Sequence, residues 1–126
     1  ILHAGPRGHG ATLKLVVNAL FAGQVALMAE LLRAAEAHGL EPAHTAALLA
    51  KMPVTSPAAA GAAALMVAGD HAPRFPVDLV EKDLGYAAAL GRAPVTEAVR
   101  SVFAAARAAG LGDRNLTVVH RPSAAV

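Results

Sequence analysis

The fold is decided by residues 5–39, which read GPRGHGATLKLVVNALFAGQVALMAELLRAAEAHG. Apolar side chains recur along this stretch at the three- and four-residue spacing of a helix. Gly39, followed by Pro42, is a typical signal for the end of a helix. The pattern predicts one helix over residues 11–38, about 40 Å long at 1.5 Å per residue. Because this is roughly twice the length of an average globular helix, it must pack along much of its length.

The composition favours a helical core. The chain has 126 residues, enough for one domain, and 56% of them are hydrophobic while only 3% are aromatic. A core built from Ala, Leu and Val suits closely packed helices better than a sheet. We therefore predict an all-α helical bundle built around the one long N-terminal helix.

Several function classes find no support in the sequence. The formal net charge is only +2 and the basic residues are scattered, so no nucleic-acid surface is indicated. There is no cysteine for a disulfide or thiolate site, and the six histidines show no zinc-ligand spacing, so we predict no metal site. No serine lies in the turn motif of a serine hydrolase. Without a secretion signal, we expect a cytoplasmic protein that makes no membrane contact.

Proline and glycine divide the rest of the chain into further helices. The predicted helices cover residues 42–51, 58–68 and 95–109, and a further helix falls within residues 75–91. Residues 116–120, LTVVH, are apolar and β-branched, so their pattern alone favours a strand.

Lys14 is the first candidate for chemistry. Near the start of the long helix, the positive end of the helix dipole disfavours an ammonium and pushes the pKa of a lysine downward. That is the direction a general acid/base needs near neutral pH. Asn18 follows one turn later on the same face and can both donate and accept hydrogen bonds. From these residues alone, a solvated surface lysine remains the stronger interpretation, because lysine is mostly exposed.

The spacing Gly5-x-x-Gly8-x-Gly10-x-x-x-Lys14-x-x-x-Asn18 resembles the signature that opens the C-terminal domain of the β-hydroxyacid dehydrogenases. That family includes 3-hydroxyisobutyrate dehydrogenase and the glyoxylate/succinic semialdehyde reductases, and the form KLVVN is most similar to the glyoxylate reductase branch. The resemblance implies that Lys14 is the catalytic acid/base and that Asn18 helps to bind substrate.

A second stretch extends the resemblance. Phe75, followed by Lys82-Asp83-Leu84, is similar to the family's pattern of an aromatic residue before a Lys-Asp-Leu helix. The resemblance implies that Phe75 and Asp83 line the substrate site and that Lys82 lies near the cofactor. From the residues alone, Lys82 and Asp83 would be an exposed helix face and Phe75 a core anchor. The family also implies a short helix, and not a strand, over residues 116–120.

The resemblance implies a division of the protein into parts. Residues 1–10 would be a glycine-rich interdomain and active-site loop, residues 11–121 an all-α substrate and dimerisation domain, and residues 122–126 a loose tail. Because the chain begins at Ile1 without Met, we expect an N-terminal Rossmann domain to precede it in a longer protein. That domain would hold most of the NAD or NADP, and the fragment alone would be inactive.

The implied activity is that of an NAD(P)-dependent oxidoreductase of small 3-hydroxy acids or 2-carbonyl and semialdehyde acids. Its partners would be a small carboxylate substrate and a second copy, joined into a homodimer through the long helix. Two alternatives stay open. One is an imine reductase-like domain, a class that usually replaces Lys14, and the other is a non-catalytic helical dimerisation module. Retention of Lys14 argues against both.

Overall fold

The computed structural model describes residues 8–121. Most of the predicted glycine-rich loop and the predicted tail, residues 1–7 and 122–126, lie outside the described residues. Five α-helices and one short 3-10 helix follow one another along the chain. They are α1 (His9–Ala37), α2 (Pro42–Ala50), α3 (Pro57–Ala68), α4 (Val77–Ala88), α5 (Pro94–Ala108) and η1 (Leu116–His120).

The helix ends follow from local chemistry. After α1, Gly39 adopts a φ of 93°, a left-handed conformation that favours glycine and ends the helix. The Glu41 carboxylate then accepts hydrogen bonds from two free backbone N–H groups at the start of α2. Ser56 Oγ does the same for Ala59 N, at 3.0 Å, at the start of α3. These caps explain why the observed helices lie close to the predicted ranges.

α1 is the centre of the bundle, because it packs against every other helix. Small residues on its buried face, such as Ala22 and Ala29, let the neighbouring helices approach closely. The largest fully buried side chains are Phe103, Leu32 and Leu84, which come from three different helices. The all-α prediction is confirmed, since residues 8–121 contain no strand and only one isolated bridge, between Pro76 and Asn115.

The segment 116–120 is a 3-10 helix, so the strand favoured by its composition is wrong and the helix implied by the family is correct. The reason is the buried side chain of Asn115. Its Oδ1 accepts hydrogen bonds from the backbone N–H groups of Arg74 and Phe75, at 3.2 and 2.9 Å. Anchored by these contacts to residues 41 and 40 positions earlier, the chain after Asn115 turns into a helix and does not extend along a neighbouring strand.

α1 also exposes a broad apolar surface. Its exposed large apolar side chains are Leu13, Val16, Val17, Leu20, Leu27 and Leu31. By length and composition α1 could span a membrane, a test that the core helix of a soluble protein also passes. Its contacts with every other helix make it the core helix of this bundle.

Candidate active site

Lys14 lies exposed on α1. The helix begins at His9, earlier than predicted, so Lys14 stands in the second turn and not the first. Because the helix dipole acts mainly within the first turn, its effect on Lys14 is weaker than the sequence argument assumed. What the helix does provide is position: Lys14 and Asn18 are four residues apart and share one face.

Asn18 and Asp83 are brought together by the packing of α1 against α4. Asn18 Nδ2 donates a hydrogen bond to Asp83 Oδ2 at 3.2 Å, and both side chains are partly buried. α4 is oriented by Val80 and Leu84, which are buried in the core on either side of Asp83. Two residues that the sequence analysis placed in the site are therefore direct neighbours.

Phe75 and Lys82 occupy different surroundings. Phe75 is half-buried and packs against the hydrophobic core, while its backbone is held by Asn115 and Leu116. Lys82 is exposed on α4 and lines a polar cavity of about 580 Å³ together with Arg100. Successive helical residues are separated by 100°, so Lys82 and Asp83 project in different directions.

Sequence reasoning missed the role of Glu81. Glutamate on a helix is mostly exposed, but the Glu81 side chain is only 11% exposed and accepts hydrogen bonds from Arg100 Nε at 2.8 Å and Arg107 Nη1 at 3.0 Å. The hydrogen bond from Arg100 is the main cause that lowers the pKa of Glu81. The available signal was spacing, since Glu81 lies four residues after the buried Val77 and three before the buried Leu84.

The site can bind and orient a small polar molecule. The Asn18 amide is anchored by the Asp83 carboxylate and lies one helical turn from the exposed ammonium of Lys14. The site therefore offers a proton donor beside a fixed hydrogen-bonding group. Within residues 8–121, no group of three metal-binding side chains comes together.

Comparisons with known proteins identify the family of the chain. A protein-family model described as "NAD-binding of NADP-dependent 3-hydroxyisobutyrate dehydrogenase" matches residues 8–122. Among curated proteins, the chain is 31% identical over 122 residues to glyoxylate/succinic semialdehyde reductase 1 of Arabidopsis thaliana, covering 93% of this chain. It is 33% identical over 125 residues to 2-(hydroxymethyl)glutarate dehydrogenase of Eubacterium barkeri, covering 94%. The chain spans 42% of the length of each.

Solved structures give the same result for the fold. A 3-hydroxyisobutyrate dehydrogenase from Salmonella typhimurium superposes with a TM-score of 0.84 at 26% identity, covering 90% of this chain and 42% of that one. The enzyme of the same name from Mycobacterium tuberculosis gives 0.82 at 25% identity, covering 95% and 45%. The helical fold is that of the C-terminal domain of these dehydrogenases. The family match extends over nearly the whole chain, which therefore belongs to the 3-hydroxyisobutyrate dehydrogenase NAD-binding domain family.

Proposed function

We propose that the chain is the C-terminal substrate-binding and dimerisation domain of an NAD(P)-dependent oxidoreductase. Its substrates would be small 3-hydroxy acids, or 2-carbonyl and semialdehyde acids. The observation that carries the proposal is the hydrogen bond between Asn18 and Asp83, one helical turn from Lys14. The names of the curated relatives support this substrate class, because glyoxylate, succinic semialdehyde and 2-(hydroxymethyl)glutarate are all small carboxylates.

Lys14 would act as the general acid/base. The hydride would come from a bound nicotinamide cofactor during reduction of the substrate's carbonyl carbon, and would return to the cofactor in the reverse direction. During reduction the Lys14 ammonium gives its proton to the forming alkoxide oxygen, and in the reverse direction the neutral amine takes the alcohol proton. Exposure of Lys14 on α1 leaves its Nζ accessible to a substrate held between two domains.

Asn18, Asp83 and Phe75 would hold the substrate. Because Asp83 accepts one amide N–H of Asn18, the amide is fixed with its Oδ1 and second N–H free for the substrate. Phe75 would supply an apolar wall for the carbon chain. Each side chain thus has one defined task, and none of them needs to move a proton.

Lys82 would contact the cofactor. It is an exposed ammonium lining a polar cavity, which suits a single contact with a phosphate or ribose oxygen. The strand–turn–helix that grips a dinucleotide pyrophosphate does not occur within residues 8–121. The cofactor, NAD or NADP, would therefore be held mainly by an N-terminal Rossmann domain.

The apolar surface of α1 supports a homodimer. A groove of about 690 Å³ runs between α1 and α5, lined by Leu20, Leu27 and Val99 among other apolar residues. Large apolar surfaces are unusual on monomeric proteins and mark association sites. We propose that a second copy, related by two-fold symmetry, covers this surface. We also propose that the full protein is cytoplasmic. The same surface would serve the alternative function of a non-catalytic dimerisation module.

One assay separates these functions. The full-length protein is incubated with NADH or NADPH and either glyoxylate or succinic semialdehyde, and cofactor oxidation is followed. We expect turnover by the full-length protein and none by the 126-residue chain, because positioning of the cofactor contributes roughly 7–11 kcal/mol to lowering the barrier. Absence of turnover with every small hydroxy or carbonyl acid would favour the dimerisation module. Turnover by the isolated chain would overturn the assignment of cofactor binding to the other domain.

A further inference from the structure

A second polar cavity lies between the end of α3, the loop after it and η1. Its volume is about 530 Å³, and we refer to it as the α3–η1 cavity. Its basic side chains are His71, Arg114, His120 and Arg121. The cavity is distant from Lys14, since His120 neighbours Arg33, which lies roughly 28 Å along α1 from Lys14. No residue with a role in the proposed reaction lines it.

The ring of His71 is held by buried hydrogen bonds. Asn115 Nδ2 donates to Thr117 Oγ1 at 2.9 Å, and His71 Nδ1 lies 3.0 Å from the same hydroxyl. Thr117 is fully buried, so its hydroxyl proton needs an acceptor, and His71 Nδ1 is within reach. This network assigns the proton of the neutral His71 ring to Nε2, which leaves that N–H available to a ligand.

His120 contributes an unsatisfied polar atom. Its Nε2 is buried and has no hydrogen-bond partner among residues 8–121. Buried polar atoms in native proteins nearly always have a partner, which can be protein, water or a ligand. The backbone here is fixed, because Arg33 Nη1 donates to the Val119 carbonyl oxygen at 2.7 Å. His120 therefore lines the cavity, while its Nε2 is enclosed within the fold.

Positive charge is concentrated at the α3–η1 cavity. Burial lowers the pKa of His71, and the positive charges of His120, Arg121 and Arg114 lower it further. Burial also lowers the pKa of His120, followed by the charge of Arg33. Because lowered pKa values keep both histidines neutral near pH 7, the positive charge of the cavity comes from Arg114 and Arg121, and an anion placed between them would be attracted by both.

The nearby negative groups offset only part of this charge. Asp70 faces His71, but its carboxylate lies 3.7 Å from Arg74 Nη2 and pairs with it. Glu36 is the acidic neighbour of His120. The carbonyl groups at the end of α3 are partly satisfied by the N–H groups of Gly69 and Asp70. The two guanidinium groups thus leave the cavity with an excess of positive charge.

We propose that the α3–η1 cavity binds a phosphate group, either free or as a monoester. Two guanidinium groups and the Nε2–H of His71 match the several acceptor oxygens of a phosphate, whereas a carboxylate is satisfied by a single guanidinium. The cavity is larger than one phosphate group. Met66 and Val118 give it an apolar wall, which suits the carbon part of a monoester.

The test is an NMR titration of the histidine ring resonances in the 126-residue chain at constant ionic strength. The probes are inorganic phosphate and glycerol 3-phosphate. Both should cause saturable shifts at His71 and His120, with none at His38 and His44, which do not line the cavity. Tighter binding of glycerol 3-phosphate identifies a monoester as the ligand, and equal or weaker binding identifies free phosphate.

A matched pair of variants provides the control. Arg114→Gln combined with Arg121→Gln removes both guanidinium groups, while Arg92→Gln removes an exposed one outside the cavity. Affinity for phosphate should fall about tenfold or more in the double variant and stay unchanged in Arg92→Gln. Phosphate should likewise raise the Tm of the wild-type chain more than that of the double variant. Equal shifts with acetate, shifts at every histidine, or undiminished binding in the double variant would overturn the proposal.

Discussion

Asn18 Nδ2 donates a hydrogen bond to Asp83 Oδ2 across 3.2 Å, although the two residues are 65 positions apart in the sequence. This contact joins α1 to α4 beside the face that carries Lys14. It gives the amide of Asn18 one orientation, because an ionised carboxylate can accept a hydrogen bond but not donate one. The proposed reaction depends on that fixed amide to present the substrate to Lys14.

Replacing Asp83 should therefore impair substrate handling. In the full-length protein, Asp83→Ala frees the Asn18 amide, and we expect kcat/KM to fall about 10- to 100-fold, the equivalent of one hydrogen bond to a charged group. Asp83→Asn keeps an acceptor and should recover part of the loss. The control is Asp113→Asn, which changes an exposed carboxylate. Unchanged kcat/KM in Asp83→Ala would remove Asp83 from the site.

The fold restricts Gly112 by close packing. A Cβ added there would lie 2.2 Å from Asp78 Oδ1, and the backbone cannot easily withdraw because Asp78 N donates to the Gly112 carbonyl oxygen at 2.9 Å. Gly112→Ala must displace the Asp78 carboxylate from its ion pair with Arg107. We expect a loss of about 1 kcal/mol in the free energy of unfolding, measured by urea denaturation.

Two further variants test this explanation. Gly61→Ala adds a Cβ in α3 where nothing lies within 4 Å, so it should stabilise by roughly 0.5–1 kcal/mol. Gly112→Ala in an Asp78→Ala background should cost less than in the wild type, because the obstructing carboxylate is gone. Equal costs in the two backgrounds would show that the clash is not the cause.

Acid should destabilise the protein in two stages. The pKa values of His71 and His120 are lowered in the folded state, so the unfolded state binds more protons once the pH falls below the ordinary value of 6.5. The contribution of the two neutral rings to the free energy of unfolding is fully present above that pH. It declines as the pH falls toward the lowered pKa values of the folded state. The second stage comes from Glu81, whose pKa is lowered from 4.5. Its contribution to the free energy of unfolding is lost at lower pH, as the carboxylate becomes protonated.

Thermal unfolding in phosphate-free buffer, from about pH 7.5 to 5, measures the first stage. The Tm of the wild type should fall across this range, and His71→Gln combined with His120→Gln should reduce the slope. His38→Gln, at an exposed position, should keep the wild-type slope. A double variant with an unchanged slope would show that other groups cause the acid sensitivity.

The apolar surface of α1 predicts association. Leu20 is 63% exposed and lines the groove, so Leu20→Glu should place a charge in the dimer interface. We expect sedimentation to show a dimer for the wild type and a monomer for this variant at tens of micromolar. Leu40→Glu, a comparably exposed position after the end of α1, should remain dimeric. A wild-type monomer at that concentration would contradict the proposed homodimer.

Local signals predicted the helices well. Pro42, Pro57 and Pro94 start helices in the structure, and Gly39 ends α1, because each residue restricts or frees its own backbone. Over residues 116–120, residue preference alone was misleading. There the deciding contacts come from the side chain of Asn115, whose partners lie 40 and 41 positions away.

Physical reasoning on the sequence alone predicted the site residues less well than it predicted the helices. Lys14 and Asn18 could be placed together because helical spacing is local. Nothing local links them to Asp83, which reaches Asn18 only through the packing of α1 on α4, so only the family resemblance placed it nearby. Glu81 was missed because charged residues are mostly exposed, and its two arginine partners lie on α5.

The central claim is that Lys14 is the general acid/base, and its most direct test is kcat of Lys14→Ala in the full-length protein. Removal of a general acid/base lowers the rate by about 10²–10⁴-fold, and the exposed position should leave the Tm near that of the wild type. Lys51→Ala, which removes another exposed lysine, serves as the control and should keep the wild-type kcat. A kcat for Lys14→Ala lowered by at least about 10²-fold, with an unchanged Tm, is the predicted result. Wild-type turnover by a folded Lys14→Ala protein would contradict the account.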